Sequence, residues 1–466
     1  MASCSKRMTG LESSCMDEEG RRLEHYRRMT ETPVSKLVVS LAIPTIISML
    51  VSSIYNMADT WFVSKLGTSA AGAVGVVFSV MAIIQAVGFT IGMGSGVIMA
   101  RQLGAKEDDR ACATASTGFF LSIALGLLLA VFGVAFNRPL MRLLGATETV
   151  LPYAQAYAQY IFLGCPFMCA SFVMNNLLRS EGKAAFAMVG ITTGGVLNII
   201  LDPVFIFTLG LGTAGAAIAT SLSQLVSFFI LLAFFMMGKS SVRLRLSKVS
   251  LKVSTYVDIV KMGLPSLSRQ GLASLASVAL NVSAGAFGDA ALAAMSITSR
   301  VTFFLFSALL GFGQGFQPVC GFNWGAGKFR RVYDATRFTC VVGTLLIAAL
   351  SALCFIFAEP LVRSFVENDP QVTAMGMLAL RAQCLALPLS GLNVTTNMAL
   401  QGTGKFAKAT FLALCRQGIF FIPTVVVLPM VIGLGGVLFA QSISDVLTFV
   451  VSAFFFVSFL REVRAK

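Results

Sequence analysis

Long apolar runs occupy most of this chain, and they restrict it to folds that lie in a membrane. Twelve runs of roughly 20 or more residues carry almost no charge, and about 20 helical residues cross a hydrocarbon core of about 30 Å. The runs cover approximately residues 40–64, 71–100, 112–136, 152–178, 185–209, 214–237, 263–287, 291–322, 336–357, 374–402, 409–432 and 434–459. We therefore predict an all-α polytopic membrane protein with twelve transmembrane helices.

The overall composition supports the same conclusion. Of the 466 residues, 56% are apolar and only 12% are charged, which is about half the charge that the surface of a soluble domain needs. Residues 1–35 are basic, but they lack the apolar stretch of about 7 to 15 residues that a cleavable signal peptide requires. We predict that they form a cytoplasmic leader.

The distribution of lysine and arginine predicts the orientation. If both termini are cytoplasmic, 27 of the 35 basic residues lie on that side and 4 on the other, in agreement with the excess of positive charge in cytoplasmic loops. The net charge of +14 is then a topology signal, because no basic face remains for nucleic acid once the loops are assigned. We predict a multi-pass inner-membrane protein in the lipid bilayer that binds no nucleic acid.

The second half of the sequence repeats the first at an offset of 219 to 222 residues. Six spans per repeat would enter the membrane in the same sense, which predicts a pseudo-two-fold axis along the membrane normal. The predicted segments are the leader 1–35, an amino-terminal lobe 36–238, a cytoplasmic inter-lobe loop 239–262, a carboxyl-terminal lobe 263–460 and a cytoplasmic tail 461–466. The matched landmarks are Pro44 with Pro265, Gly67 with Gly288, residues 92–96 with 311–315, and Pro166 with Pro388.

No motif indicates an enzyme or a nucleotide site. The sequence Gly-Lys-Ser at 238–240 resembles the end of a phosphate-binding loop, but the glycine required five positions earlier is Ala233. The Gly-rich stretches 92–96 and 311–315 lie within spans, which favours close helix packing or a bend. We predict no cofactor, so any transport draws on an ion gradient or runs downhill.

Three acidic residues fall well inside the predicted spans: Asp59, Asp202 and Asp445. A charged carboxylate at a helix centre costs about 2.5 to 3.5 kcal/mol, so two that converge call for an explanation. Asn198 precedes Asp202 by four residues, which puts both side chains on one helical face. At about 1.5 Å per residue from the nearest turns, Asp59, Asp202 and Thr220 lie roughly 12 to 13 Å deep on the same side of the membrane.

The cluster of Asp59, Asn198, Asp202 and Thr220 is a candidate cation site. Two carboxylates, an amide oxygen and a hydroxyl are hard oxygen ligands suited to Na⁺, and two neighbouring buried carboxylates could instead share a proton. The alternative is structural: Asn198 and Asp202 would only bond each other and cap a helix bent at Pro203. The residues alone leave both alternatives open.

Four basic residues lie within the spans of the second half: Arg269, Arg300, Arg381 and Arg416. They are either structural cations that are paired or reach the membrane surface, or residues of a gate or substrate path that hold an anionic group. Asp445 is a candidate salt-bridge partner for one of them, which would leave it outside the cation site.

The repeat and two motifs resemble the MATE family, the multidrug and toxic compound extrusion transporters. The motifs are Asn-Met-Ala-Asp-Thr-Trp-Phe-Val at 56–63 and Asn-Ile-Ile-Leu-Asp-Pro at 198–203. The resemblance covers all twelve spans, and it implies a V-shaped pair of six-helix bundles that export cationic and amphipathic molecules by alternating access, in exchange for Na⁺ or H⁺. It also implies the prokaryotic DinF-like branch, whose cation site in the amino-terminal lobe matches Asp59, Asn198, Asp202 and Thr220.

The chain departs from the related branch that places acids in the second lobe. That branch has a Glu a little over two turns after the proline of span seven, whereas Pro265 is followed by Ser-Leu-Ser-Arg-Gln-Gly-Leu-Ala. A competing function is a lipid-linked precursor flippase of the same superfamily, which the four intramembrane arginines favour but which would have extra spans. We expect a monomeric antiporter for organic cations and amphipathic drugs, with Na⁺ or H⁺ as coupling ion.

Overall fold

A computed structural model describes residues 20, 22–365 and 369–466. This part of the chain contains twelve long helices and no strand, so the predicted all-α fold with twelve transmembrane helices is confirmed. Residues 1–19 and 21 of the predicted leader lie outside the described residues. The long helices are α1 (Val34–Ser64), α2 (Thr68–Gly104), α3 (Asp108–Ala135), α4 (Leu151–Ser180), α5 (Ala184–Pro203), α6 (Gly212–Met236), α7 (Val253–Gly285), α8 (Asp289–Gly325), α9 (Phe329–Ile356), α10 (Pro370–Gly402), α11 (Phe406–Ile432) and α12 (Leu434–Ala465).

Helix α7 differs from the other long helices in polarity. Among the described residues, eleven helices are long and apolar enough to cross a membrane, and α7 is not one of them. It has 33 residues, but Ser, Ser, Arg and Gln at 266 and 268–270 lower its hydropathy. Because α7 packs against α2 of the other bundle, polar residues on that side need not face lipid.

The second bundle, α7–α12, repeats the first, α1–α6. A short helix follows the third span of each bundle, at Asn137–Leu143 and at Ala358–Arg363, and the fifth span of each contains a wide π-helical turn, at Val204–Thr208 and at Cys415–Phe421. Gly67 and Gly288, which join the first two spans of each bundle, both have left-handed φ angles, of 111° and 101°. The two bundles therefore have the architecture predicted from the repeat, with a pseudo-two-fold axis along the membrane normal.

In the part of the chain that the structure describes, the apolar core shared by the two bundles lies on one side of the membrane. We call this side the basic face; it holds the connections 104–108, 180–184, 236–253, 325–329 and 402–406. There, one apolar core runs through both bundles and joins Leu41 of α1 to Phe312 of α8. Toward the other side, the opposite face, each bundle has separate cores of its own. The cleft between the bundles is thus closed at the basic face and opens toward the opposite face.

Glycines allow the bundles to approach closely in the basic half. A Cβ atom added to Gly263 of α7 would overlap the Thr90 carbonyl of α2, and one added to Gly94 would overlap the Ile259 carbonyl of α7. A Cβ atom on Gly315 would overlap the backbone of α1. The Gly-rich stretches in α2 and α8 therefore serve the close packing predicted from the sequence.

Residues 22–31 form a further helix, the amino-terminal helix, which lies across both bundles at the basic face. On the side of the first bundle, His25 Nε2 donates to the Glu181 carbonyl oxygen at 2.6 Å, and the fully buried Met29 lies against Gly182. Burial lowers the pKa of His25 to about 4, so its imidazole is neutral near pH 7 and can donate one hydrogen bond without a buried charge.

The amino-terminal helix is also bound to the second bundle. Asn323 Nδ2 donates to the Met29 carbonyl oxygen at 3.1 Å, and Arg331 Nη2 donates to the Thr32 carbonyl oxygen at 2.6 Å. Arg331 Nε donates to Asn323 Oδ1 at 3.1 Å, which holds both donors in place. The helix therefore connects the two bundles where they are closed.

We expect Arg331→Ala to release the amino-terminal helix from the second bundle. A hydrogen bond from a charged group contributes about 1.5 to 3 kcal/mol, so amide hydrogen exchange in residues 22–32 should accelerate roughly tenfold or more. The matched control is Arg330→Ala, since Arg330 is the exposed neighbour on the same turn. Equal exchange rates in the two variants would show that Arg331 does not hold this helix.

Candidate functional site

Asn198 and Asp202 lie one turn apart on α5, and their side chains lie in the same buried site. Asn198 Nδ2 donates to Asp202 Oδ1 at 3.0 Å and to Thr220 Oγ1 of α6 at 3.2 Å. All three side chains are buried, Asp202 completely. The spacing of four residues brings amide and carboxylate together, and the depth count from the turn had predicted that Thr220 would meet them.

The helix changes form directly after this pair. Pro203 has no amide N–H and so cannot continue the α-helical hydrogen bonds, and the chain passes into the wide turn at Val204–Thr208. Wide π-helical turns are frequent at functional sites. The carboxylate of Asp202 thus lies at the point where α5 is most distorted.

Asp59 of α1 joins the cluster through Tyr157 of α4. The Tyr157 hydroxyl donates to Asp59 Oδ2 at 3.3 Å, and Tyr157 is completely buried. Tyr157 also interacts with Thr220, and the Asp59 and Asp202 carboxylates are close enough to interact electrostatically. The structure therefore brings Asp59, Asn198, Asp202 and Thr220 together in the first bundle, and it adds Tyr157.

Sequence reasoning missed Tyr157. One signal could have found it: Tyr157 lies near the start of the run 152–178, at a depth similar to that predicted for the acids. A buried tyrosine hydroxyl usually has a hydrogen-bond partner, so a tyrosine at this depth indicates polar neighbours.

Three buried oxygen atoms of this cluster lack any hydrogen-bond partner. They are Asp59 Oδ1, Asn198 Oδ1 and Asp202 Oδ2. All are acceptors, and an isolated buried acceptor is unfavourable because it has lost its hydration. Since every free atom is an oxygen, this set of ligand atoms fits Na⁺ or a proton. Among the described residues, no group of three or more His, Cys, Asp or Glu side chains is placed to hold a metal ion.

Asp445 belongs to a separate cluster in the second bundle. Arg416 Nε donates to Asp445 Oδ1 at 2.8 Å, so the predicted salt bridge between Asp445 and an intramembrane arginine is confirmed. Gln383 Nε2 donates to Asp445 Oδ2 at 2.7 Å, and the Arg416 guanidinium lies 4.1 Å from the centre of the Phe306 ring. Both oxygens of Asp445 are therefore occupied by protein donors, unlike those of Asp59 and Asp202.

The other three intramembrane arginines have different surroundings. Arg300 of α8 is exposed, Arg381 of α10 lies 5.3 Å from the centre of the Phe355 ring, and Arg269 of α7 is partly exposed. The structure does not bring these arginines to the Asp445 salt bridge. A role for them in gating or in the substrate path stays a prediction.

Arg179 is a second residue that sequence reasoning missed. It lies beside the connection 180–184 and resembles a loop cation in the sequence, yet the structure buries it almost completely. Its Nη1 donates to Gln314 Oε1 of α8 at 2.5 Å, and its Nη2 donates to Asn176 Oδ1. Arg179 thus joins α4 of the first bundle to α8 of the second at the closed end of the cleft.

Comparison with known proteins identifies relatives over nearly the whole chain. The MatE family model matches residues 44–204 and 265–427, one segment in each bundle. The multidrug export protein MepA of Staphylococcus haemolyticus is 27% identical over 416 residues, which are 89% of this chain and 91% of MepA. A structure described as the outward-facing conformation of a multidrug resistance MATE family transporter superposes with a TM-score of 0.89 at 27% identity, over 94% of this chain and 98% of the other. A second structure, described as a MATE in complex with MaL6, superposes with a TM-score of 0.90 at 27% identity, over 95% of this chain and 99% of the other.

Proposed function

Because this chain belongs to the MatE family, we propose that it is a secondary active transporter that exports cationic or amphipathic small molecules in exchange for Na⁺ or H⁺. The multidrug export relatives support an efflux function. The charge distribution supports a plasma-membrane protein with both termini in the cytoplasm, so that the cleft opens outward. We propose that it acts as a monomer.

The observation that carries this proposal is the set of three unpaired buried oxygens of Asp59, Asn198 and Asp202. A buried polar atom without a partner costs roughly 1 to 3 kcal/mol, and here three such atoms lie in one cluster. A bound Na⁺ would take these oxygens and Thr220 Oγ1 as ligands. A proton would instead reside on one of the two carboxylates.

Helix α1 provides the connection between cation and cleft. It carries Asp59, which lies in the cluster. Ser53, six residues earlier on the same helix, donates through its Oγ to Ser307 Oγ of α8 in the second bundle at 3.3 Å. A cation that draws Asp59 toward α5 and α6 therefore acts on a helix that also forms the contact between bundles. The cation is exchanged for the substrate when the two ligands favour different conformations of the cleft.

Side chains suited to amphipathic substrates lie near the contact between Ser53 of α1 and Ser307 of α8 along these two helices. Met57 and Trp61 follow Ser53 on one face of α1, and Phe304 precedes Ser307 on α8. Trp61 is 55% exposed and Phe304 is 38% exposed. Aromatic faces attract organic cations, and methionine adapts to varied shapes. These side chains support a broad range of aromatic cations as substrates.

Dye accumulation in everted membrane vesicles tests this function. A fluorescent cationic dye is added outside, and a Na⁺ gradient or a pH gradient is imposed separately with the higher cation concentration inside. We expect uptake of dye that follows at least one gradient and does not depend on ATP. Dye uptake that ignores both gradients would contradict the proposal, and translocation of a lipid-linked precursor in the same vesicles would favour a flippase.

A further inference from the structure

The fourth to sixth spans of the two bundles can be matched at a fixed offset. Asn175 Nδ2 of α4 donates to the Ala187 carbonyl oxygen of α5 at 2.9 Å, and Asn397 Nδ2 of α10 donates to the Ala409 carbonyl oxygen of α11 at 2.7 Å. Both residues of the second pair follow those of the first by 222 positions. Helices α6 and α12 also begin 222 positions apart. This offset identifies which residues of the second bundle match the oxygen cluster of the first.

Two of the matching positions in the second bundle are apolar. Leu280 matches Asp59 by the offset of 221 that relates the first spans of the two bundles, and Ala379 matches Tyr157 by the offset of 222. Leu280 and Ala379 are both buried in one apolar core of the second bundle. Apolar packing therefore replaces the carboxylate and the hydroxyl at this depth.

Helix α11 has no acid at the matching level, and the buried acid of this bundle lies on α12 instead. Residues 417–432 of α11, which cover the match to Asp202, contain no acidic residue. Asp445 follows Ser442, the match to Thr220, by three positions, which places it about 4.5 Å nearer to the basic face. The second bundle therefore holds its carboxylate outside the matched site.

Protein donors surround the carboxylate of Asp445. Its Oδ1 accepts from Arg416 Nε at 2.8 Å and from Gln441 Nε2 at 3.2 Å. Its Oδ2 accepts from Gln383 Nε2 at 2.7 Å and from Arg416 Nη2 at 3.5 Å. The Asp445 side chain is 1% exposed and the Arg416 side chain is 13% exposed. Because burial penalises an isolated charge, the guanidinium supplies the positive charge that this carboxylate needs.

Arg416 is held in this position by its side chain and by its backbone. Its guanidinium lies 4.1 Å from the centre of the Phe306 ring, and its carbonyl oxygen accepts from Ser444 Oγ at 2.6 Å. The backbone of Arg416 belongs to the wide turn Cys415–Phe421 of α11. An arginine side chain in a protein does not lose its proton. The positive charge beside Asp445 is therefore permanent, whereas a coupling ion must enter and leave its site.

We infer that Arg416 is the resident cation of the second bundle, and that Asp445 is a monovalent-cation site which the guanidinium keeps occupied. The inference rests on the proposed cation exchange: only the first bundle exchanges an ion with the solution, and the charge of the second stays constant. Ser442 Oγ donates to Gln383 Oε1 at 3.4 Å beside this carboxylate. Without the guanidinium, these oxygens and those of Asp445 are ligands suited to Na⁺, and the carboxylate can bind a proton.

Cation binding to the purified full chain tests this inference without transport. Arg416→Gln is added to the double variant Asp59→Asn with Asp202→Asn, which by itself should bind no coupling ion. Because the substitution leaves a buried carboxylate without its cation, we expect saturable uptake of about one Na⁺ or one proton per chain. Calorimetric titration with Na⁺ and with acid measures it. Arg416→Lys in the same background keeps a positive charge and should restore no uptake.

The matched control removes the same charge at a distant position. Arg330 is exposed on the basic face, so Arg330→Gln in the same background should restore no uptake. Asp445→Asn added to Arg416→Gln should abolish the regained uptake. A folded Arg416→Gln variant that regains no uptake would overturn the inference, and so would regained uptake that survives Asp445→Asn.

A charge-neutral pair of substitutions provides a second measurement in case Arg416→Gln alone does not fold. Arg416→Gln with Asp445→Asn leaves no unpaired buried charge, and with Asp59 and Asp202 intact this protein should bind as many cations per chain as the unmodified protein. A smaller number would show that the second bundle also exchanges a cation. Failure of the proposed function differs from both results, because the unmodified protein itself would then bind no coupling ion.

Discussion

We expect Asp59→Asn and Asp202→Asn each to lower gradient-driven efflux by roughly a hundredfold or more, since loss of one charged ligand removes about 3 kcal/mol of cation binding. Asparagine keeps the shape of the side chain and can still accept a hydrogen bond, but it carries no charge and cannot take up a proton. Dye accumulation in everted vesicles under imposed Na⁺ and pH gradients measures the loss.

The control for this prediction is an acid outside the cluster. Asp289 is exposed at the start of α8, so Asp289→Asn should transport like the unmodified protein. Both cluster variants should keep their thermal stability and their affinity for the dye without a gradient, because asparagine has nearly the size and shape of aspartate. Undiminished gradient-driven export in Asp59→Asn or Asp202→Asn would refute the assignment of the site.

The second large effect is expected from Gly263→Ala. Its added methyl group would overlap the Thr90 carbonyl where α7 crosses α2, so the closed basic face is destabilised by backbone overlap that no side-chain rotation relieves. Efflux should fall by roughly fivefold to a hundredfold, as for an overpacking cost of about 1 to 3 kcal/mol. Distances between spin labels at Arg110 and Arg330, on the basic ends of the two bundles, should increase.

Gly271→Ala is the matched control on the same helix. A Cβ atom there meets no other atom within 4 Å, and alanine is the better helix former by about 1 kcal/mol. This variant should be as active as the unmodified protein and slightly more stable. If Gly263→Ala had the same spin-label distance and the same efflux activity as Gly271→Ala, close contact between α7 and α2 would not be needed for transport.

The parts of the fold that follow from local spacing could be predicted from the sequence. The apolar runs define the spans, and the offset between Pro44 and Pro265 relates the two bundles. The four-residue spacing of Asn198 and Asp202 places both on one face of α5. Counting from the turns also places Thr220 at the same depth, because rise per residue is nearly constant in a helix.

The contacts that depend on packing between distant helices could not be predicted in this way. Tyr157 reaches Asp59 from α4, and Arg179 reaches Gln314 across the two bundles; no spacing within one helix encodes either pair. The choice of Arg416 as the partner of Asp445 likewise depends on how α11 packs on α12. The amino-terminal helix was predicted only as part of a leader, since its contacts with Asn323 and Arg331 are long-range.

Direct cation binding tests the central claim, that the oxygen cluster of the first bundle holds the coupling ion. Purified protein is titrated with Na⁺ at fixed pH and with acid at fixed Na⁺, and heat and proton uptake are compared between the native protein and the double variant Asp59→Asn with Asp202→Asn. We expect saturable uptake of Na⁺ or of a proton in the native protein and its loss in the double variant. Equal uptake of both cations by the two proteins would place the coupling ion elsewhere and contradict the mechanism.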